Sequence, residues 1–325
     1  MKQNRKRKVT GELPGGEQCK VSRAQTTPLR CVTARGIPHT IRPPVTRRLQ
    51  RKIFLDGKIV EANERMLEQF VPGVMTAKGV FETMRVYDGK IFLLDKHINR
   101  LQRGLKALEI VNNYTKKEIR HSVTETLRVN RLRNARMRLM VWQKHHQFHV
   151  AVIARPYKAP AFSQYSKGYK VLIYSRKMTK PRVSCDVKAI DYRFFQKAHE
   201  EAARQGYDEA VVLNRNDEIV EGARTNIFLC KQGVLYAPAL RSGGLNGITR
   251  QVVLKLAKEA GIKIRLKILG VEDFYQADEA FLTNSLLEVI PASQMNREKI
   301  GNGCAGPVTE KIMKRYRQNV KAVIC

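Results

Sequence analysis

The sequence predicts an α+β fold of two domains built largely on antiparallel sheet, behind a basic N-terminal extension. Three observations support this. Two pairs of apolar segments are each joined by an Asp-Gly turn, at Asp56-Gly57 and Asp88-Gly89, the strongest short-range hairpin signal. Strands and helices then succeed one another without the regular alternation that a doubly wound parallel sheet requires. Finally, an aperiodic stretch with two prolines, residues 156–166, divides the rest of the chain.

Residues 1–50 show neither a helical nor a strand period and carry runs such as Pro14-Gly15-Gly16 and Pro43-Pro44, so they read as a disordered extension. The small N-terminal domain is assigned to 51–155. It opens with the hairpin around Asp56-Gly57 and continues with a second, Val80–Tyr87 turning at Asp88-Gly89 into Lys90–Leu94. Asp95 is placed to cap a helix whose Ile98, Leu101, Leu105 and Leu108 keep helical spacing. A helix near 115–130 leads to strands at 136–142 and 148–154. After the linker, the larger C-terminal domain (167–325) is expected to hold strands 169–175, 208–214, 218–221, 226–230, 262–268 and 279–283. Its helices fall at 190–205, at 249–260 with Gly261 as its stop, and from about 307.

Composition bounds the function. A chain of 325 residues that is 43% hydrophobic buries a substantial core, and no uncharged apolar run is long enough to span a bilayer. The first residues are basic and lack an apolar core segment, so they do not read as a secretory signal, and the protein is placed in the cytoplasm. Six scattered cysteines without a Cys-x-x-Cys pair read as reduced thiols. His145, His146 and His149 have no ligand-spaced carboxylate or thiol; they read as a turn between strands, and no metal is expected. The net charge is +32, of which residues 1–52, with fourteen Lys and Arg against two Glu, supply +12. Such a surplus draws polyanions without specificity and favours anionic substrates at encounter. The extension reads first as a solvated tail, then as a nucleic-acid-binding arm, then as a transit peptide.

Four features carry chemistry. Lys188, in Val187-Lys-Ala-Ile-Asp-Tyr192, stands at the threshold of a helix, where a partly desolvated amine becomes reactive. Glu221, in Ile219-Val-Glu-Gly-Ala-Arg-Thr-Asn226, needs a cationic partner if buried between its apolar strands. Gly247-Ile-Thr-Arg250 comes after the glycine-rich Ser242-Gly-Gly-Leu-Asn246 and opens a helix, whose free N–H groups suit a phosphate. Arg100, in His97-Ile-Asn-Arg-Leu101, is a candidate cation for the same phosphate. Each alone also has a plain reading as surface charge or turn.

In this order, from about Lys52 to Asn296, these segments resemble the class IV aminotransferase family, the fold-type IV enzymes that use pyridoxal 5'-phosphate. The resemblance implies that Lys188 carries the cofactor as a Schiff base and shuttles the substrate proton, and that Glu221 pairs with the pyridine nitrogen. It implies that Arg100, Ile248, Thr249 and Thr283 hold the phosphate and that Tyr192 meets the cofactor's phenolic oxygen. It further implies a homodimer with the cofactor at the junction of the two domains.

The reaction is read from the substrate side. Arg138, in Ala135-Arg-Met-Arg138-Leu, matches the pocket arginine of branched-chain aminotransferases, with Arg136 where those enzymes have tyrosine. Phe81-Glu-Thr83 stands where they usually have Phe-Glu-Gly. Thr83 and Thr283-Asn-Ser-Leu286 instead resemble 4-amino-4-deoxychorismate lyase, although Trp142-Gln-Lys-His-His146 lacks the Ser/Thr-Arg-Gly turn common in lyases. The favoured reading is transfer of an amino group from a branched-chain-type amino acid to a 2-oxo acid such as 2-oxoglutarate. The runner-up is the lyase, which releases pyruvate and 4-aminobenzoate. From another class comes a non-catalytic or RNA-associated protein on the same scaffold, motivated by the charge and the extension.

Overall fold

The two Asp-Gly turns take the conformation that their chemistry allows: Asp56 and Gly57 have φ of 45° and 92°, and Asp88 and Gly89 have 46° and 79°. They belong to a six-stranded antiparallel sheet formed by β1 (Arg51–Leu55), β2 (Lys58–Ala62), β3 (Lys78–Tyr87), β4 (Lys90–Ile91), β5 (Ala135–Lys144) and β6 (Gln147–Pro156). The order is β2-β1-β6-β5-β3-β4. The computed structural model describes residues 51–63, 65–67, 74, 76–111, 113–144 and 147–324. The basic extension, His145 and His146 lie outside the described residues.

Two helices cover one face of this sheet, α1 (Leu94–Ala107) and α2 (Lys116–Val129). Ile98, Leu101, Leu105, Ile119 and Val123 pack against Val80, Met84, Val86, Met137, Leu139, Val141, Val150 and Val152. Strand alternation then sends Phe81, Thr83, Arg136, Arg138 and Ile153 to the opposite face. Thr115 caps α2 reciprocally with Glu118, through bonds of 3.2 and 2.7 Å. Asp95 does not cap α1, as the sequence suggested. The position before the helix is Leu93, in left-handed backbone with φ 54°, and it makes no side-chain cap. Asp95 lies inside the first turn, where its charge meets the positive helix end.

The second sheet gathers β7 (Tyr169–Ile173), β8 (Glu209–Leu213), β9 (Ile219–Gly222), β10 (Asn226–Lys231), β11 (Val234–Pro238), β12 (Ile264–Lys267), β13 (Glu279–Asn284), β14 (Glu288–Met295) and β15 (Glu298–Lys299). Its order is β12-β11-β10-β13-β14-β7-β8-β9, with β15 on β14. Most pairs are antiparallel; β11 with β12, β14 with β7, and β7 with β8 are parallel. Strands β11, β14 and β15 were not expected from the sequence. The irregular stretch 156–166 also carries part of a short helix, α3 (Phe162–Lys167), which docks Tyr165 into the core. Further helices are α4 (Arg193–Arg204), α5 (Ile248–Glu259), α6 (Val271–Tyr275) and α7 (Pro307–Ile324). The described residues all belong to one compact unit, and no described helix is long and apolar enough to cross a membrane.

The segment carrying Lys188 is anchored to the first sheet through its backbone. It lies antiparallel to the first half of β3, bridging Val80 to Ala189. The Phe81 N–H donates to the Lys188 carbonyl, and the Ile190 N–H to that of Gly79, each at 2.9 Å.

Candidate active site

A cavity of about 510 Å³ lies between the two sheets, within the range of small-molecule sites. Every residue singled out in the sequence lines it: Lys188, Glu221, Arg100, Tyr192, Ile248, Thr249, Thr283, Arg138 and Thr83.

Backbone pairing with β3 holds Lys188 in place. The residue keeps some exposure while its ammonium is enclosed, 4.6 Å from the Phe81 ring centre and 5.5 Å from that of Tyr192. Burial, reinforced by Arg100 and Arg182 against the opposing pull of Glu82 and Glu221, lowers its pKa from 10.5 to about 7. A substantial fraction is therefore the neutral, nucleophilic amine near neutral pH.

Glu221 sits within strand β9, close to the strand expected at 218–221, and is only 4% exposed. One oxygen pairs with Arg182; the other accepts from the Leu245 N–H at 2.8 Å and from Asn226 Nδ2 at 3.2 Å. A carboxylate offers about four acceptor sites, so one is left for a donor in the cavity. Arg182 is a site residue that the sequence did not reveal. It lies 39 positions from Glu221 and stacks over Phe195 at 4.9 Å.

Arg100 is fixed by another unforeseen carboxylate. Its Nε and Nη2 donate to Glu82 at 2.8 and 2.6 Å, and Nη1 reaches the Asn246 carbonyl at 3.3 Å. His97 Nδ1 lies 2.6 Å from the same carboxylate. An ionised carboxylate only accepts, so this nitrogen carries the proton. The detectable signal was a carboxylate, Glu82, among the apolar Val80, Met84 and Val86 on the helix-facing side of β3. Burial by itself raises the Glu82 pKa, but Arg100 and then His97 more than reverse this, bringing it from 4.5 to about 2. A folded value below the unfolded one gives stability that is present above the unfolded pKa and lost as pH falls through the folded one. Unfolding free energies measured from about pH 5 down to about pH 2 should therefore fall more steeply in the wild type than in Glu82→Gln, by on the order of 3 kcal/mol.

At the other end, Gly247 precedes α5 and brings the Ile248 and Thr249 N–H groups to the cavity. A Cβ on Gly247 would come within 2.0 Å of Asn226 Oδ1, so only glycine fits this approach. The Thr283 hydroxyl is fully buried and has no hydrogen-bond partner among the described residues. The Tyr192 hydroxyl donates to the Ala223 carbonyl, while its ring stacks on Phe195 and meets Phe81 edge-on; burial raises its pKa.

On the substrate side, Arg138 stands opposite Thr83 and lies 4.3 Å over the Phe81 ring. Burial, then Arg136, pushes its pKa down to about 10. Its Nε is buried without a hydrogen-bond partner among the described residues.

These residues fit pyridoxal phosphate on structural grounds. The orphaned Thr283 hydroxyl, the open N-terminus of α5 and the Arg100 guanidinium converge where a phosphate dianion would be satisfied. The spare acceptor site of Glu221 suits a protonated ring nitrogen.

Comparisons with known proteins agree. The amino-transferase class IV family pattern matches residues 79–295. A Methanocaldococcus jannaschii protein provisionally named a branched-chain-amino-acid aminotransferase is 36% identical over 277 residues, covering 82% of this chain and 95% of its own. The aminodeoxychorismate lyase of Bacillus subtilis is 31% identical over 284 residues, covering 84% and 96%. Among solved structures, the branched-chain aminotransferase of Thermobaculum terrenum in its pyridoxal-phosphate form superposes with a TM-score of 0.72 at 25% identity, covering 84% of this chain and 94% of that one. This chain belongs to the class IV aminotransferases, the fold-type IV family of pyridoxal-phosphate enzymes.

Proposed function

We propose that this enzyme transfers the amino group of a branched-chain-type amino acid to a 2-oxo acid such as 2-oxoglutarate, with Lys188 as its catalytic residue. The observation that carries the assignment is the enclosed Lys188 amine, its pKa near 7, in one cavity with Glu221, Arg100 and the N-terminus of α5. Pyridoxal phosphate, when bound, supplies a conjugated ring that delocalises the electron pair released when the substrate's Cα–H bond breaks. The protein's part is to anchor and to move protons. Arg100, Thr249, Thr283 and the first N–H groups of α5 would hold the phosphate. Glu221, steadied by Arg182 and Asn226, would accept from the ring nitrogen. Lys188 Nζ takes the α-proton and returns it, as an amine whose pKa lies near working pH can. Tyr192 and Phe81 line the cavity beside Lys188, and Arg138, beside Thr83, would meet a substrate carboxylate. The family resemblance supports a cytoplasmic homodimer, and the basic extension supports no more than non-specific contact with nucleic acid.

Turnover of L-leucine, L-isoleucine or L-valine with 2-oxoglutarate, followed as glutamate formed, tests the reading; silence with all amino acids of either chirality would remove it. The lyase remains the second reading, favoured by Thr83 and by Thr283-Asn284-Ser285 at the cavity wall. Pyruvate release from aminodeoxychorismate would establish it. Thr283→Val, which removes the unpaired hydroxyl while keeping its volume, should weaken cofactor retention roughly tenfold, measured by dialysis against cofactor-free buffer.

A further inference from the structure

A second cavity, of about 920 Å³, shares no lining residue with the one that holds Lys188. It opens where β4, the start of α1, the later half of α2 and the last turn of α7 meet. Arg120, Thr124, Leu127 and Arg131 line it at intervals of four, three and four, so one face of α2 and its exit turns toward the groove. Between Arg120 and Arg128 that face runs about 12 Å, just over two helical turns.

The floor is apolar, formed by Ile91, Leu93, Leu94, Leu127, Leu132 and Val323, the last of them 49% exposed. Leu93 lies there in left-handed backbone, with φ 54°, which a bulky residue adopts only where its surroundings hold it. Around the floor stand Lys90, Lys96, Arg120, Arg128, Arg131 and Arg133. Asp95, Glu125 and Asp88 pair with Arg120, Arg128 and Arg133, which leaves an excess of three positive charges. These pairs are largely exposed and so contribute little, and an incoming anion can take over their arginines. Among the described residues, no ion pair reaches Lys96 or Arg131.

Exposed apolar surface rimmed by charge marks an interaction site, and here the charges decide what docks. The basic extension and a second copy of the chain bring +12 and +32 of the same sign, so neither complements the rim. A single-stranded nucleic acid brings phosphates, but its bases are held by stacking on aromatic side chains. Among the described residues, no aromatic side chain lines this groove. A helix with apolar residues at intervals of three and four, flanked by carboxylates, satisfies both parts. Its apolar face covers the floor, and its acids meet the rim.

We infer that this groove docks an acidic amphipathic helix of a partner protein, engaging about two to three turns of it. The helix lies along α2, and its carboxylates answer Lys96 and Arg131 first, since no local acid competes for them. Docking here tethers the enzyme to its partner without entering the cavity that holds Lys188.

The test uses a dye-labelled peptide of about 18 residues, with leucines on one helical face and glutamates on the other, and a scrambled peptide of the same composition. Fluorescence anisotropy on the full-length holoenzyme at about 0.15 M salt should show the amphipathic peptide binding at least roughly tenfold more tightly. Val323→Asp puts a like charge on the floor, and Lys96→Glu reverses one on the rim. Each should weaken the amphipathic peptide roughly tenfold and the scrambled one by no more than about twofold. Equal affinity for the two peptides in the wild type overturns the inference. So does binding that neither substitution weakens, because the peptide would then lie elsewhere on a strongly basic chain. An oligothymidylate of matching charge that displaces the peptide better than unlabelled peptide does would give the groove to nucleic acid. A Val323→Asp variant whose mass in solution falls to that of one chain would give it to a second copy. Either result removes the helix. Val323 is half exposed, so its replacement should fold; should it fail, Lys96→Glu, on the exposed rim, decides.

Discussion

Lys188→Ala should lower amino transfer by roughly four orders of magnitude, because the amine that attacks and the group that moves the proton are removed together. The fold should survive. Lys188 is held among Arg100 and Arg182 at the expense of its own charge, so alanine relieves repulsion, and the melting temperature should stay level or rise. The visible absorbance that depends on covalent attachment of the cofactor should vanish, although phosphate contacts still retain some cofactor. Steady-state assay and absorbance on the same preparation check both halves. An alanine variant that turned over normally would mean that another amine does the chemistry.

Glu82→Gln carries the largest expected loss of stability. Glu82 and Arg100 are 1% and 3% exposed, and the carboxylate accepts two bonds from the guanidinium and one contact from His97. Glutamine keeps the shape but leaves a buried cation uncompensated, at a cost of about 3–5 kcal/mol. For a chain of this size that lowers the melting temperature on the order of 10 °C. Arg100 would also lose its fixed orientation toward the cavity, so cofactor retention should fall alongside. Calorimetric melting at neutral pH, with and without added pyridoxal phosphate, checks both effects. A melting temperature unchanged within a degree or so would mean that water reaches Arg100.

Much of this was legible along the chain. The hairpins at Asp56-Gly57 and Asp88-Gly89 were readable because a positive φ restricts which residues can occupy the turn. Gly247–Thr249 was readable because it opens a helix after a glycine-rich stretch, while Lys188, Glu221 and Arg100, the last inside α1, were readable through the motifs around them and their order along the chain. The failures were of two kinds. Glu288–Met295 alternates poorly, reading Glu-Val-Ile-Pro-Ala-Ser-Gln-Met, because the strand is buried on both faces, so a period-two search passes over it. The partners Glu82 and Arg182 were missed because the pairs they make join positions far apart in sequence. Arg136 was noticed as a departure from the usual tyrosine. Its neighbour Arg155, nineteen positions on, came into view only through the register of β5 with β6.

Strand β3 has a consequence for how such a protein can diversify. Its alternate residues serve separate tasks: Glu82 points to the helices and fixes Arg100, the arginine proposed to hold the phosphate, while Phe81 and Thr83 point the other way, into the cavity proposed to take the substrate. Because successive side chains leave opposite sides of the pleat, a replacement at 83, or at 136 and 138 across the ladder, can change what is accepted without disturbing how the cofactor is gripped. A lineage can therefore try new substrates one residue at a time and keep a working engine at every step.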